Sequence, residues 1–195
     1  GEYFPIEEGA YGTSILSSKD LCLLDRISAF QQAGISAGKI EGRMKSLYYV
    51  AQISRIYKTA LHTPSGDLAT WQRLHEEVEK VSHRPYWEGF YEVAGAGVTE
   101  NSSEGDYSRD WQYCGKIIAH QEGKLVFDSL AKVSRGDMVE LIYPDLSEDF
   151  SLVLDRIYDD ENNAVEHTRP NFRYWIPVAK PQPEAGILRK CVTTS

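Results

Sequence analysis

The chain has 195 residues, room for two modest domains of roughly 100–150 residues each. Hydrophobic residues make up 42% and charged residues 26%, which excludes wholesale disorder. Lys and Arg number 21 against 29 Asp and Glu, a net charge of −8. That balance argues against a general nucleic-acid binder, although it averages over faces and leaves room for a local basic patch.

The opening run GEYFPIEEGAYG is acidic and interrupted by Pro5, Gly9 and Gly12. It lacks the basic lead and apolar stretch of a signal peptide. From Asp20 to Lys80 the spacing predicts helices. Ser17, Ser18 and Asp20 offer capping side chains ahead of Leu21, Leu24, Ile27 and Phe30, and Gly34 stops the segment. A short strand is expected at Gly38-Lys39-Ile40-Glu41-Gly42. A second helix follows in KSLYYVAQISRIYKTALH, ended by Pro64-Ser65-Gly66, and a third runs from Leu68 to Val81.

Beyond Ser82-His83-Arg84-Pro85 the period shifts to two. Strands are expected at Tyr86–Val93, Trp111–His120, Lys124–Leu130, Met138–Ile142, Ser151–Tyr158, Ala164–Thr168 and Trp175–Ala179. Turn chemistry separates them, as at Gly95-Ala96-Gly97, Arg135-Gly136-Asp137 and the Asp159–Asn163 stretch, and residues 99–109 read as a polar loop. Short strands at this spacing predict a small barrel or sandwich. The expected fold class is therefore α+β: the C-terminal helical and strand units of an incomplete TIM-like barrel, followed by a small all-β barrel domain. A lone strand among helices has no partner of its own, so residues 1–83 read as part of a larger barrel and 84–195 as a β-barrel accessory domain.

The densest cluster of chemistry is Lys39-Ile40-Glu41-Gly42-Arg43-Met44-Lys45-Ser46. Strand alternation places Lys39 and Glu41 on one side and Ile40 on the other. Gly42 permits a close approach, and Arg43 and Lys45 stand near a helix start, where free N–H groups favour anions. An ordinary strand-to-helix turn carrying a Lys–Glu surface pair fits the same spacing. His83 and Arg84 have the chemistry to meet an anion and Tyr86 to stack on a base; a linker pinned by Pro85 fits equally.

The three cysteines, Cys22, Cys114 and Cys191, are far apart, and the five histidines form no HxxxH or HExxH pattern. Neither a disulfide framework nor a metal site is expected, and nucleotide or Ser-hydrolase motifs are absent. No window approaches the ~20 apolar residues of a membrane span. The expected setting is cytoplasmic.

The runs GEYFPIEE, SKDLC, KIEGRMKS with Tyr48-Tyr49-Val50-Ala51, SHRPY and Gly89-Phe90 resemble the U32 family, as do Gly115-Lys116-Ile117-Ile118 and Gly136-Asp137-Met138-Val139-Glu140. The family carries the label of collagenase-like peptidases, and some members act as prephenate-dependent hydroxylases of RNA. Ala37-Gly38 departs from the larger apolar residues expected ahead of Lys39. The resemblance implies that Lys39, Glu41 and Arg43 are catalytic and that Lys45, His83, Arg84 and Tyr86 bind substrate. Lys39 and Arg43 would hold a carboxylate or an RNA phosphate, with Glu41 orienting them or moving a proton. It further implies no cofactor in this chain, an iron–sulfur cluster in the full-length parent, the N-terminal part of the barrel as a partner, and tRNA or peptide as substrate. The chain alone is then expected to be inactive. Proteolysis, or a purely non-catalytic binding role, are the alternatives.

Overall fold

A computed structural model describes residues 19–89, 110–180, 183 and 185–192, together with the backbone of 6–9 and 12–15. The expected caps Ser17 and Ser18, strand residues 90–93, the Gly95-Ala96-Gly97 turn and the loop at 99–109 lie outside the described residues. The chain divides into two compact units, 1–38 with 82–108 and 39–81 with 109–195.

In the first unit, β1 (Ile6–Gly9) and β2 (Gly12–Ile15) pair antiparallel. β3 (Asp20–Leu21) and β4 (Tyr86–Trp87) pair in parallel, with Asp20 opposite Tyr86. A 3-10 turn at Leu24–Arg26 leads into α1 (Ile27–Gln32). This helix is shorter than its periodicity predicts, because Asp20 and Leu21 are spent on strand pairing. It ends where Gly34 takes a left-handed φ of +73°.

The second unit begins with an irregular stretch. Residues 39–42 form no strand, against expectation. Backbone there finds no neighbouring strand among the described residues, and an extended segment without a ladder gains nothing from strand geometry. α2 (Leu47–His62) and α3 (Leu68–Glu79) follow. Each starts on a side-chain cap: Ser46 accepts from Tyr49 N at 3.2 Å and Asp67 accepts from Thr70 N at 3.1 Å. α2 buries Tyr48, Gln52, Ile53, Arg55, Ile56 and Ala60 along one face, and α3 buries Leu74, Glu77 and Val78.

The remaining strands are β5 (Trp111–Gln121), β6 (Lys124–Ser129), β7 (Met138–Ile142), β8 (Phe150–Val153), β9 (Ile157–Asp159), β10 (Ala164–Val165), β11 (Arg173–Pro177) and β12 (Gly186–Cys191). They form one antiparallel sheet in the order β10-β9-β11-β6-β5-β12-β7-β8. β8 and β9 stand six strand spacings apart in that order, about 29 Å in a flat sheet. Residues 154–156 alone join them, and that link reaches about 14 Å at most. The sheet must therefore curl until its two ends approach. Its concave side holds one apolar core that includes Ile117, Phe127, Leu141, Leu154, Ile157, Tyr174 and Leu188.

The strand expected over Ser151–Tyr158 is thus two strands at opposite ends of the sheet, broken where the chain crosses between them. β12 was not expected from the sequence at all, yet it lies between β5 and β7. Among the described residues no helix is long and apolar enough to cross a membrane.

Candidate functional site

The KIEGRMKS segment is an exposed turn that runs into the N-terminus of α2. Lys45 N donates to Gly42 O at 3.0 Å, closing a turn over 42–45 just ahead of the Ser46 cap. A Cβ on Gly42 would stand 2.8 Å from Val50 Cγ2, so the turn folds closely onto the first turns of the helix, as a glycine allows. Lys39 and Glu41 are 86% and 69% exposed, with Nζ 3.4 Å from Oε2. Arg43 N donates to Glu41 Oε1 at 2.9 Å. That backbone hydrogen bond first, then Lys39, holds the Glu41 carboxyl below its ordinary range. Lys45 lies over the Tyr49 ring, 4.9 Å from its centroid. The turn therefore presents Lys39, Glu41 and Arg43 to solvent, with a charge set able to take a carboxylate or phosphate and to hold it against an ionised carboxylate.

His83, Arg84 and Tyr86 belong to the other unit and are described within it. Arg84 Nη2 and Nε donate to Asp20 Oδ1 at 2.8 and 3.0 Å, and Arg84 N donates to Oδ2 at 3.2 Å. His83 is buried, donates from Nδ1 to Arg84 O at 2.7 Å, and stacks on Tyr86 with ring centroids 3.9 Å apart. These side chains tie the 83–87 segment to β3 through Asp20. Arg26 and Glu88 add an ion pair in the same unit.

A charged assembly that sequence reasoning missed lies beneath α2 and α3. Arg189 on β12 is 0% exposed. Its Nη2 donates to both Glu77 carboxylate oxygens at 2.8 Å and to Glu140 Oε2 at 2.6 Å, while Nη1 donates to Tyr48 Oη at 3.1 Å. Arg55 of α2 donates to Glu77 Oε2 and Asp149 Oδ1, each at 2.7 Å, and to Tyr143 O at 3.0 Å. Lys80 Nζ adds a bond to Glu77 Oε1 at 2.8 Å. Burial opposes ionisation of Glu77, but Arg189, Lys80 and Arg55 outweigh it and hold its carboxyl at about 2. Burial likewise disfavours the Arg189 cation; Tyr48, Glu77 and Glu140 reverse this and keep it charged. Such a network locks geometry, because each buried charge has partners on more than one element. It fixes α2 to the sheet, and with it the turn at the N-terminus of α2.

The signal for this assembly was weak. Glu77 and Arg55 sit at helical positions that read as solvated, and Arg189 lies in an unexpected strand. A cleft of about 410 Å³ opens beside the network, lined by Arg73, Lys80, Glu140, Asp149 and Ser151 among others. Among the described residues no three His, Cys, Asp or Glu side chains group as a metal site.

Comparison with known proteins places the sequence in a family. Residues 2–98 match the model described as Peptidase family U32, and residues 109–189 match that of the Peptidase family U32 C-terminal domain. tRNA hydroxylation protein P of Escherichia coli (strain K12) is 30% identical over 185 residues, covering 91% of this chain and 40% of that protein. The collagenase of Porphyromonas gingivalis is 30% identical over 109 residues, covering 54% of this chain and 30% of that protein. Among solved structures, the C-terminal domain of a Geobacillus thermoleovorans U32 peptidase shares 23% identity at a TM-score of 0.38, covering 40% of this chain and 90% of that one. The chain thus spans well under half the length of either curated relative. Matched along its helical part and again along its sheet, it belongs to the U32 family.

Proposed function

We propose that this chain serves as the C-terminal, substrate-positioning portion of a U32 enzyme that hydroxylates tRNA. The E. coli tRNA hydroxylation protein aligns along 91% of the chain, helices and sheet together, whereas the collagenase aligns along 54%. The observation that carries the reading is the buried Arg189–Glu77–Arg55 network. It makes the sheet a rigid mount for α2, and so for the exposed Lys39, Glu41 and Arg43 turn. In this role residues 1–83 supply the last part of a (β/α) barrel. Lys39 and Arg43 hold an anionic group of a ligand or of the tRNA, while Glu41 orients them or moves a proton. Lys45, on the same turn, extends the contact to substrate.

Cys114 and Cys191 do not suit an iron–sulfur cluster, and Cys22 belongs to the other unit. Cys114 is buried in the sheet core, with its thiol pushed up to about 12 by burial, and Cys191 stands exposed at the end of β12. A cluster in the full-length enzyme would be ligated by residues outside this chain. The test is mass spectrometry of tRNA from cells lacking the U32 protein and complemented with its full-length form. Restored hydroxylation supports the reading. Gelatin cleavage that depends on Glu41, with no change in tRNA, would instead support the peptidase.

A further inference from the structure

Past the ends of β6 and β11 the two segments part briefly and then meet again. Within the strands Asp128 opposes Arg173 and Leu125 opposes Ile176. Further on, Ser129 N donates to Phe172 O at 2.9 Å, Thr168 N to Val133 O at 2.8 Å and Arg135 N to Glu166 O at 2.9 Å. Ser134 bridges His167 in the same antiparallel sense. This register sets Lys132 directly opposite Arg169. Both are exposed, and neither has an ion pair among the described residues. Like charges directly opposite on a ladder destabilise it unless something anionic lies between them.

The segment that carries them is held firmly. Thr168 is 1% exposed and Ser129 0%. Thr168 Oγ1 accepts from Val133 N at 3.0 Å and lies 2.9 Å from Ser129 Oγ, and both hydroxyls donate to Ala131 O. Asn171 takes a left-handed φ of +69°, and the next residue, Phe172, is left 60% exposed. Segments 130–135 and 166–173 together carry Lys132, Arg135, Arg169 and Arg173 against Glu166, with Asp128 and Asp137 just beyond their ends, in a chain of net charge −8. Arg135 is held by Glu166 and Arg173 by Asp128, and Asp137 lies near enough to Lys132 to feel its charge, so Lys132 and Arg169 are the rim cations without an ion pair among the described residues. A rim that shows an aromatic ring beside two such cations has the chemistry of a single-strand RNA contact: a phosphate between the cations, a base on the ring.

We infer that the rim formed by residues 130–135 and 166–173 is a contact surface for a single-stranded segment of tRNA, with Lys132 and Arg169 sharing a phosphate and Phe172 stacking on a base. The inference rests on the tRNA reading above and adds to it the surface that receives the RNA.

The test titrates fluorescein-labelled bulk tRNA with the full chain, following anisotropy from roughly 50 to 200 mM salt. The double variant K132E/R169E is expected to bind at least about 10-fold more weakly, with the salt slope reduced by about 2. K132R/R169K keeps parental binding. F172A weakens binding about 5-fold or more and leaves the slope unchanged. Thermal melts serve as the fold control, since all three side chains are exposed. Failure of the parent chain to bind tRNA, or parental binding by K132E/R169E, overturns the inference. So does a variant that keeps tRNA binding but loses association with the rest of a U32 polypeptide, since the rim is then a protein contact. Hydroxylation by the full-length enzyme is read separately. Hydroxylation that persists in K132E/R169E removes the surface and leaves the proposed activity standing; absence of hydroxylation by the parent full-length enzyme, with rim-dependent tRNA binding, does the reverse.

Discussion

Glu77 is the residue on which the second unit turns, because it accepts from two arginines and a lysine while almost fully buried. Its carboxyl sits at about 2 rather than the ordinary 4.5. The unfolded chain takes up that proton more readily than the folded one. The stabilisation is therefore complete above about pH 4.5 and declines as pH falls towards 2, by about 3 kcal/mol for this group. Urea titrations across that range should show the decline in the parent chain. In E77Q this part of the acid limb should vanish while stability at pH 7 is lower; an unchanged acid limb would show that Glu77 is not its source. Cys114 offers a second check at this scale. With its thiol pushed to about 12, mild alkylation of the folded chain should label exposed Cys191 and spare Cys114, as read by peptide mass spectrometry.

Among the elements, β12 carries the most consequence. A Cβ on Gly186 would stand 2.7 Å from Ile142 O and from the Tyr143 ring, so the strand enters the sheet only with a glycine there. G186A should destabilise the chain by about 1–3 kcal/mol in chemical denaturation; a neutral result would mean that β7 yields freely. The helices and most strands were legible because their apolar residues keep one period: α2 lies within KSLYYVAQISRIYKTALH as its spacing predicts, and Met138–Ile142 is a strand as expected. β12 was not, because it is covered on both sides. Leu188 faces the sheet core and Arg189 the buried ion network, so apolar and polar positions do not alternate between core and water. The KIEGRMKS cluster was legible as a dense set of charges. Its backbone was misread as a strand, since sequence alone does not show whether a partner strand is present to pair with it.

At the scale of the whole second unit, the helix pair and the curled sheet form one body joined by charge. Removing one partner of such a network leaves the others buried and uncompensated, at a cost of about 3–5 kcal/mol. R189A should lower the protection of α2 and β12 amides together in hydrogen exchange. Loss confined to β12 would mean that α2 is held independently of the sheet. In the proposed function this body holds the Lys39–Glu41–Arg43 turn for chemistry on tRNA. The most direct measurement is the hydroxylation level of tRNA, by mass spectrometry, in cells whose U32 protein is full-length and carries R43A. Because Arg43 is exposed and outside the buried network, the account predicts that hydroxylation is lost while protein level and melting temperature stay as in the parent. Parental hydroxylation in R43A would contradict it.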